Sequence, residues 1–105
     1  MTPEETDILK RFRAALEQTY GERLERVVLF GSRARGDARP DSDYDVAVFL
    51  KRYRDLWTEG GALAEIETDI LDETGAVINA MPFDAASIAA RSPLMHELQR
   101  EGVEI

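Results

Sequence analysis

Two strongly apolar runs, separated by a segment through which no helix can continue, constrain the fold of this chain most. The first run, "RVVLF", covers residues 26–30 and ends at Gly31, and the second, "YDVAVFL", covers residues 44–50. Both runs are rich in β-branched and aromatic residues, which favours buried strands. The segment between them includes "GDARPDSD" at residues 36–43, where Pro40 prevents a helix. A sheet built on these strands needs further strands and apolar cover to be stable.

Helical patterns before and after the two runs supply that cover. Apolar residues recur at helical spacing from Ile8 to Tyr20 and again across residues 53–74. The adjacent glycines Gly60 and Gly61 interrupt the second pattern, which leaves open a kink or two shorter helices. A last helix is predicted to begin at Pro93, because proline is tolerated in the first turn.

A third strand is predicted for "AVINAM" at residues 76–81, ended by Pro82. The predicted order is therefore helix, strand, strand, helix, strand, helix. This order indicates an α/β (α+β) fold, a small mixed β-sheet of three or more strands covered by helices. At this length we expect a single domain over residues 1–105.

Composition narrows the classes of function. The formal net charge of −8 argues against nucleic-acid binding, which needs a basic face to neutralise phosphates. No apolar run approaches the roughly 20 residues that span a bilayer. The N-terminal sequence is acidic and does not resemble a secretory signal. The absence of cysteine excludes disulfides and thiolate metal sites and agrees with a cytoplasmic location.

The alternating aspartates at the start of the second run are the main candidates for a metal site. Alternate residues of a strand share a face, so Asp43 and Asp45 would lie about 6.5–7 Å apart. Two neighbouring carboxylates repel each other unless a cation joins them, and Mg²⁺ prefers such oxygen ligands. A loop with capping side chains explains Asp41 and Ser42 well, so Asp41 is assigned to the turn. It explains Asp45 poorly, because a charge inside an apolar strand is costly.

The Gly31-Ser32 pair directly after the first run is the candidate anion site. Glycine allows a turn with close backbone approach, and a helix that begins at Ser32 would present free amides to an anion. Three arginines follow within a few residues, at Arg33, Arg35 and Arg39. An ordinary turn with a helix cap and solvated arginines is the alternative. An anion site on one strand and a cation site on the next would together hold a metal–triphosphate.

Residues 28–50, "VLFGSRARGDARPDSDYDVAVFL", resemble the DNA polymerase β-type nucleotidyltransferase superfamily and most closely its minimal nucleotidyltransferases. The family pattern is an apolar strand, Gly-Ser, about ten residues, and Asp-x-Asp on the next strand. The matching residues are Gly31, Ser32, Arg33, Ala34, Arg35, Gly36, Ser42, Asp43, Tyr44 and Asp45. The resemblance extends to chain length and order of elements, and it implies the polymerase β-like nucleotidyltransferase fold.

The resemblance also implies an activity, the transfer of AMP from ATP to a hydroxyl with release of pyrophosphate. Gly31 and Ser32 would hold the triphosphate, and Asp43 and Asp45 would be the catalytic residues that ligate two Mg²⁺ ions. The resemblance suggests further nucleotide contacts from Arg33, Arg35 and Ser42. Free-standing members of this size are commonly antitoxins. The implied partner is therefore a HEPN-type ribonuclease toxin that is adenylylated on a tyrosine.

One departure from the family pattern concerns its third carboxylate, on a later strand. In this chain, spacing places that acid at Ile78 or Asn79, of which Asn79 could still ligate a metal through its amide oxygen. The missing acid leaves open a degenerate antitoxin that acts by stoichiometric binding. The acidic charge of the chain leaves open a nucleotidyltransferase for a small molecule of the aminoglycoside type. Trp57 is expected to pack in the core or in an interface, and His96 to lie at the surface or the edge of the core.

Overall fold

The sheet is mixed and has four strands, in the order β3-β2-β1-β4. The computed structural model describes residues 1–105. β1 pairs antiparallel with β2 and β4, whereas β2 and β3 are parallel. The elements are α1 (Pro3–Tyr20), β1 (Leu24–Phe30), α2 (Ser32–Arg35), β2 (Tyr44–Leu50), α3 (Leu56–Thr74), β3 (Ile78–Asp84), α4 (Pro93–Glu101) and β4 (Val103–Glu104), with 3₁₀ turns at Gly21–Arg23 and Ala85–Ala89. This architecture confirms the predicted fold class.

The two faces of the sheet are covered by different helices. α1 and α3 pack on the face that carries Tyr44, Val46 and Val48 of β2. α4 packs on the opposite face, against Ala47 and Phe49. Because side chains alternate along a strand, Asp45 belongs to the face that α4 covers. No helix is long and apolar enough to cross a membrane.

The largest difference from the predicted elements is the third strand. It runs from Ile78 to Asp84 and contains Pro82, which was predicted to end it. β3 is at the edge of the sheet, and an edge strand needs no amide donor on its outer side. β4 was not predicted, because two residues are too short to show a periodic pattern.

The helical pattern across residues 53–74 forms one helix, not the two shorter helices that its glycines left open. α3 is one helix from Leu56 to Thr74 and passes through Gly60 and Gly61. Asp55 caps its start, with the Thr58 N–H donating to Asp55 Oδ1 over 2.7 Å. The buried residues of α3 recur at helical spacing, so tertiary packing holds the helix through the two glycines.

Candidate functional site

The predicted site residues meet at one end of the sheet. β1 ends at Phe30, and because β1 and β2 are antiparallel, this end lies beside the start of β2, where Phe30 pairs with Asp45. On the other side of β2, Asp45 pairs with Asn79, near the start of the parallel strand β3. Asp45 therefore lies in a central strand, between the end of β1 and Asn79.

Gly31 is required where it stands for two reasons. Its φ of +74° is unfavourable for any side chain. A Cβ atom at this position would lie 2.5 Å from Asp45 Oδ2, closer than any real contact. The backbone at the end of β1 thus packs directly against the carboxylate of Asp45. This close approach links the predicted anion site to the predicted metal site.

The two aspartates differ in their surroundings. Asp43 is exposed and precedes the first residue of β2, whereas Asp45 is half-buried within the strand. No group of three or more Asp, Glu, His or Cys side chains is placed to hold a metal. Two carboxylates nevertheless fit Mg²⁺, which proteins commonly hold through one or two carboxylates together with substrate phosphates.

Asn79 pairs with Asp45 and is one of the two positions that spacing leaves for the third carboxylate that the resemblance implies. Its Nδ2 lies 3.5 Å from Asp45 Oδ1, at the limit of a hydrogen bond. Spacing left Ile78 and Asn79 as alternatives, and the structure separates them because Ile78 is buried in the core. Asn79 is exposed at the site, and its amide can offer a neutral oxygen but no base.

Arg33 and Ser42, both predicted to contact the nucleotide, contact each other. Arg33 Nε and Nη2 donate to the Ser42 carbonyl oxygen over 3.1 and 2.6 Å. The Ser42 hydroxyl oxygen accepts the Arg39 N–H over 2.9 Å and closes the turn before β2. Asp41 lies in this turn, as predicted, and is exposed. The phosphate contacts of Arg33 and Ser42 stay predictions.

Arg35 has a different environment from Arg33. It is exposed on the short helix α2, where its Nε lies 3.4 Å from Asp37 and its Nη1 lies 3.7 Å from Glu101. Ion pairs of this exposure contribute little to stability, so the guanidinium can exchange them for another anion. Its predicted phosphate contact is compatible with this position.

Glu5 is a residue that sequence reasoning missed. Its carboxylate accepts from the Thr2 N–H over 2.8 Å and from Arg33 Nη1 over 3.0 Å. The Thr2 backbone N–H and then Arg33 hold the pKa of Glu5 below its ordinary value, against the opposing effect of burial. The Thr-x-x-Glu pattern of residues 2–5 signals a helix cap, but nothing local signals the contact with Arg33.

Trp57 does not pack in the core. It is 91% exposed and, with Leu56, borders an open groove of about 880 Å³ beside β3. Gly60, Gly61 and Met81 also line this groove. An exposed apolar surface of this kind is typical of interaction sites. His96 is exposed on α4, as predicted.

The family relation is clear from sequence. A sequence model of the family described as "Nucleotidyltransferase domain" matches residues 9–92, most of the chain. Two relatives come from Methanocaldococcus jannaschii. The candidate protein adenylyltransferase MJ0604 is 34% identical over 73% of this chain and 71% of its own length. MJ0141, named in the same way, is 42% identical over 43% of this chain, and the match spans only 46% of its own length.

Solved structures agree with this assignment. A candidate minimal nucleotidyltransferase is 27% identical, with a TM-score of 0.61 over 95% of this chain and 94% of that one. A toxin-antitoxin structure with AMP-PNP shares the fold at 18% identity and a TM-score of 0.64, over 90% of this chain and 69% of that one. The toxin-antitoxin MntA-HpeT also shares the fold, at 19% identity and a TM-score of 0.63, over 95% of this chain and 70% of that one. The matched sequence shows, and the fold agrees, that the chain belongs to the nucleotidyltransferase domain family.

Proposed function

We propose that this chain is a cytoplasmic antitoxin that transfers AMP from ATP to a tyrosine hydroxyl of a cognate HEPN-type toxin. The observation that carries the proposal is the packing of Gly31 against Asp45, which joins the Gly-Ser turn and the Asp-x-Asp pair in one site. The names of the two archaeal relatives support a protein as the acceptor. The structural likeness to toxin-antitoxin complexes supports a toxin as that protein.

The residues of the site have distinct roles in this reaction. The first amides of α2, at Ser32 and Arg33, have no acceptor within the helix and would donate hydrogen bonds to phosphate oxygens. Asp43 and Asp45 would hold Mg²⁺, with the amide oxygen of Asn79 as a further ligand. Magnesium, when bound, neutralises charge on the phosphates and on the reacting oxygens.

The reaction is an in-line displacement at the α-phosphorus of ATP. The tyrosine oxygen forms a bond to this phosphorus, the bond to the bridging oxygen breaks, and pyrophosphate leaves. The phenolic proton is released to solvent, because the amide of Asn79 is not a base.

The proposal is tested with ATP labelled in the α-phosphate, Mg²⁺ and the protein encoded beside this chain. We expect label to appear on a tyrosine of that protein and to be lost with the double variant Asp43→Asn/Asp45→Asn. Both substitutions keep the size of the side chain and remove its charge. The double variant should therefore stay folded without activity and serves as the matched control. An unlabelled partner, under conditions where the wild-type chain binds it, would contradict AMP transfer.

Stoichiometric neutralisation is a second candidate, favoured by Asn79 and by the apolar groove beside Trp57. The groove offers an apolar surface on which a partner protein could bind. If binding alone neutralises the toxin, Asp43→Asn/Asp45→Asn still protects cells, and Trp57→Ser does not. If AMP transfer is needed, the double aspartate variant fails to protect.

Asn79→Asp separates the candidates further. It adds the carboxylate that the family has at this position, directly beside Asp45. A general base contributes roughly 10²–10⁴-fold to rate. We expect faster AMP transfer from this variant if the wild-type site is active, and no transfer from either protein if the chain acts only by binding.

A further inference from the structure

We propose that Arg33 and Glu5 form a positioning pair that fixes the backbone around Asp43, in place of the phosphate contact that the family resemblance implies for Arg33. The inference rests on the proposed function, in which Asp43 holds a metal. Arg33 and Glu5 do not themselves touch the reacting atoms. They act through the turn that precedes β2.

Each of the three guanidinium nitrogens of Arg33 already donates a hydrogen bond within the chain. Nε and Nη2 both donate to the Ser42 carbonyl, and Nη2 also reaches the Pro40 carbonyl over 3.3 Å. Nη1 donates to Glu5 Oε2 over 3.0 Å. Only 9% of the Arg33 side chain is exposed. To bind a phosphate through two N–H groups, the guanidinium would have to give up at least one of these partners.

These contacts hold Asp43 from both sides. Ser42, whose carbonyl Arg33 binds, directly precedes Asp43 in the chain. Tyr44 directly follows it, and the guanidinium carbon of Arg33 lies 4.0 Å from the centre of the buried Tyr44 ring. The guanidinium thus fixes one neighbour by hydrogen bonds and the other by cation–π contact. Asp43 itself is exposed and has no hydrogen bond that would position it.

Glu5 orients Arg33 from the far side. Its side chain is 12% exposed and belongs to the capping box of α1, in which it also accepts the Thr2 N–H. The first turn of α1 therefore acts as a fixed support for the guanidinium. A carboxylate and a planar fork make a directional pair that lysine cannot reproduce.

The chain contains a matched control at the other end of β2. Arg23 donates to the Lys51 and Arg52 carbonyls, each over 3.2 Å, and to the buried carboxylate of Glu59. This turn carries none of the predicted site residues. Arg23 and Arg33 thus make the same kinds of hydrogen bond to the two turns that flank β2. Only the Arg33 turn leads into Asp43.

The test compares Mn²⁺ binding, followed by electron paramagnetic resonance, in Arg33→Gln, Arg33→Lys and Glu5→Gln. Removing a residue that orients a metal ligand typically weakens metal binding by about 10–100-fold. We expect a loss of this size in all three variants, measured on folded protein. ATP binding without divalent metal should change less than twofold.

Two controls separate positioning from stability. Thr2→Ala removes the cap of α1 but keeps Glu5 and Arg33, and Arg23→Gln removes the pair at the other end. Both should lower the urea midpoint and leave the Mn²⁺ dissociation constant within twofold. If Arg33→Gln does not fold, Glu5→Gln decides alone, because glutamine still accepts the Thr2 N–H.

Three results would overturn the proposal. The first is metal-free ATP binding that weakens in Arg33→Gln but not in Glu5→Gln, since this marks Arg33 as a phosphate ligand. The second is unchanged Mn²⁺ affinity in all three variants. The third is a wild-type chain that binds no Mn²⁺, which leaves no metal ligand to position. Failure of AMP transfer is separate, because Mn²⁺ binding requires neither ATP nor a toxin.

Discussion

The two turns that flank β2 are held by the same kind of interaction and differ in what depends on it. Before β2, Arg33 binds backbone carbonyls of the turn and the carboxylate of Glu5. After β2, Arg23 binds backbone carbonyls of the next turn and the carboxylate of Glu59. Both guanidinium groups also lie over a tyrosine ring.

The difference lies in the neighbours. Both pairs are largely buried, since the side chains of Arg23 and Glu59 are 17% and 2% exposed and those of Arg33 and Glu5 are 9% and 12% exposed. The Arg33 turn leads into Asp43, whereas the Arg23 turn leads into the N-terminus of α3. The same kind of arginine–glutamate pair can therefore stabilise the fold at one end of a strand and fix the geometry of a site at the other.

The largest effect is expected from Arg23→Met, which leaves Glu59 buried without its partner. Removing one member of a buried pair typically costs about 3–5 kcal/mol. The free energy of unfolding in urea should fall by this amount, with the Mn²⁺ affinity of the folded fraction unchanged. The double variant Arg23→Met/Glu59→Leu should recover most of the loss. A weaker metal site in Arg23→Met would break the contrast between the two ends.

Gly31→Ala should act at the catalytic end through two costs. Its positive φ strains any side chain, and its Cβ would meet Asp45 Oδ2. Gly36→Ala is the matched control, because Gly36 has a φ of +84° and open space around the added atom. Strain of this kind costs on the order of 1–3 kcal/mol. Both variants should lose stability by urea denaturation, and only Gly31→Ala should also lose Mn²⁺ affinity.

Gly61→Ala, in the helix that follows the Arg23 turn, should raise the stability of the fold rather than lower it. Gly61 is inside α3, and an added Cβ meets nothing within 4 Å. Alanine is favoured over glycine within a helix by about 1 kcal/mol. The free energy of unfolding should rise by this amount, with the site unaffected. A loss of stability would mean that α3 needs glycine at this position.

The smallest effect is the pH dependence that Glu5 contributes. Because its folded-state pKa lies below the ordinary value of 4.5, the charged form of Glu5 stabilises the fold above that pH. This contribution is lost as the pH falls through the folded-state pKa. The stability difference between wild type and Glu5→Gln should be full at neutral pH and shrink below 4.5. Urea denaturation across acidic pH measures it, and a difference independent of pH would contradict the assignment.

Local pattern predicted much of the fold. The strand at residues 44–50 has the predicted bounds, and the mixed sheet with helical cover is confirmed. β3 was predicted two residues too early and was ended wrongly at Pro82, because a sequence does not tell which strand forms the edge of a sheet. Of the two places expected for Trp57, its exposure excludes the core, and the interface stays a prediction. Helical periodicity does not tell which turns of α3 extend past the sheet.

What the sequence determined by itself is the set of local relations: the apolar runs, the Gly-Ser turn and the Asp-x-Asp pair at family spacing. These follow from residue types that are close together in the chain. The tertiary structure alone decided that Arg33 meets Glu5, 28 residues away, and that Asn79 stands beside Asp45, 34 residues away. Such partners depend on which strands are neighbours and on where long side chains point. Packing of the whole chain, rather than any local pattern, sets both.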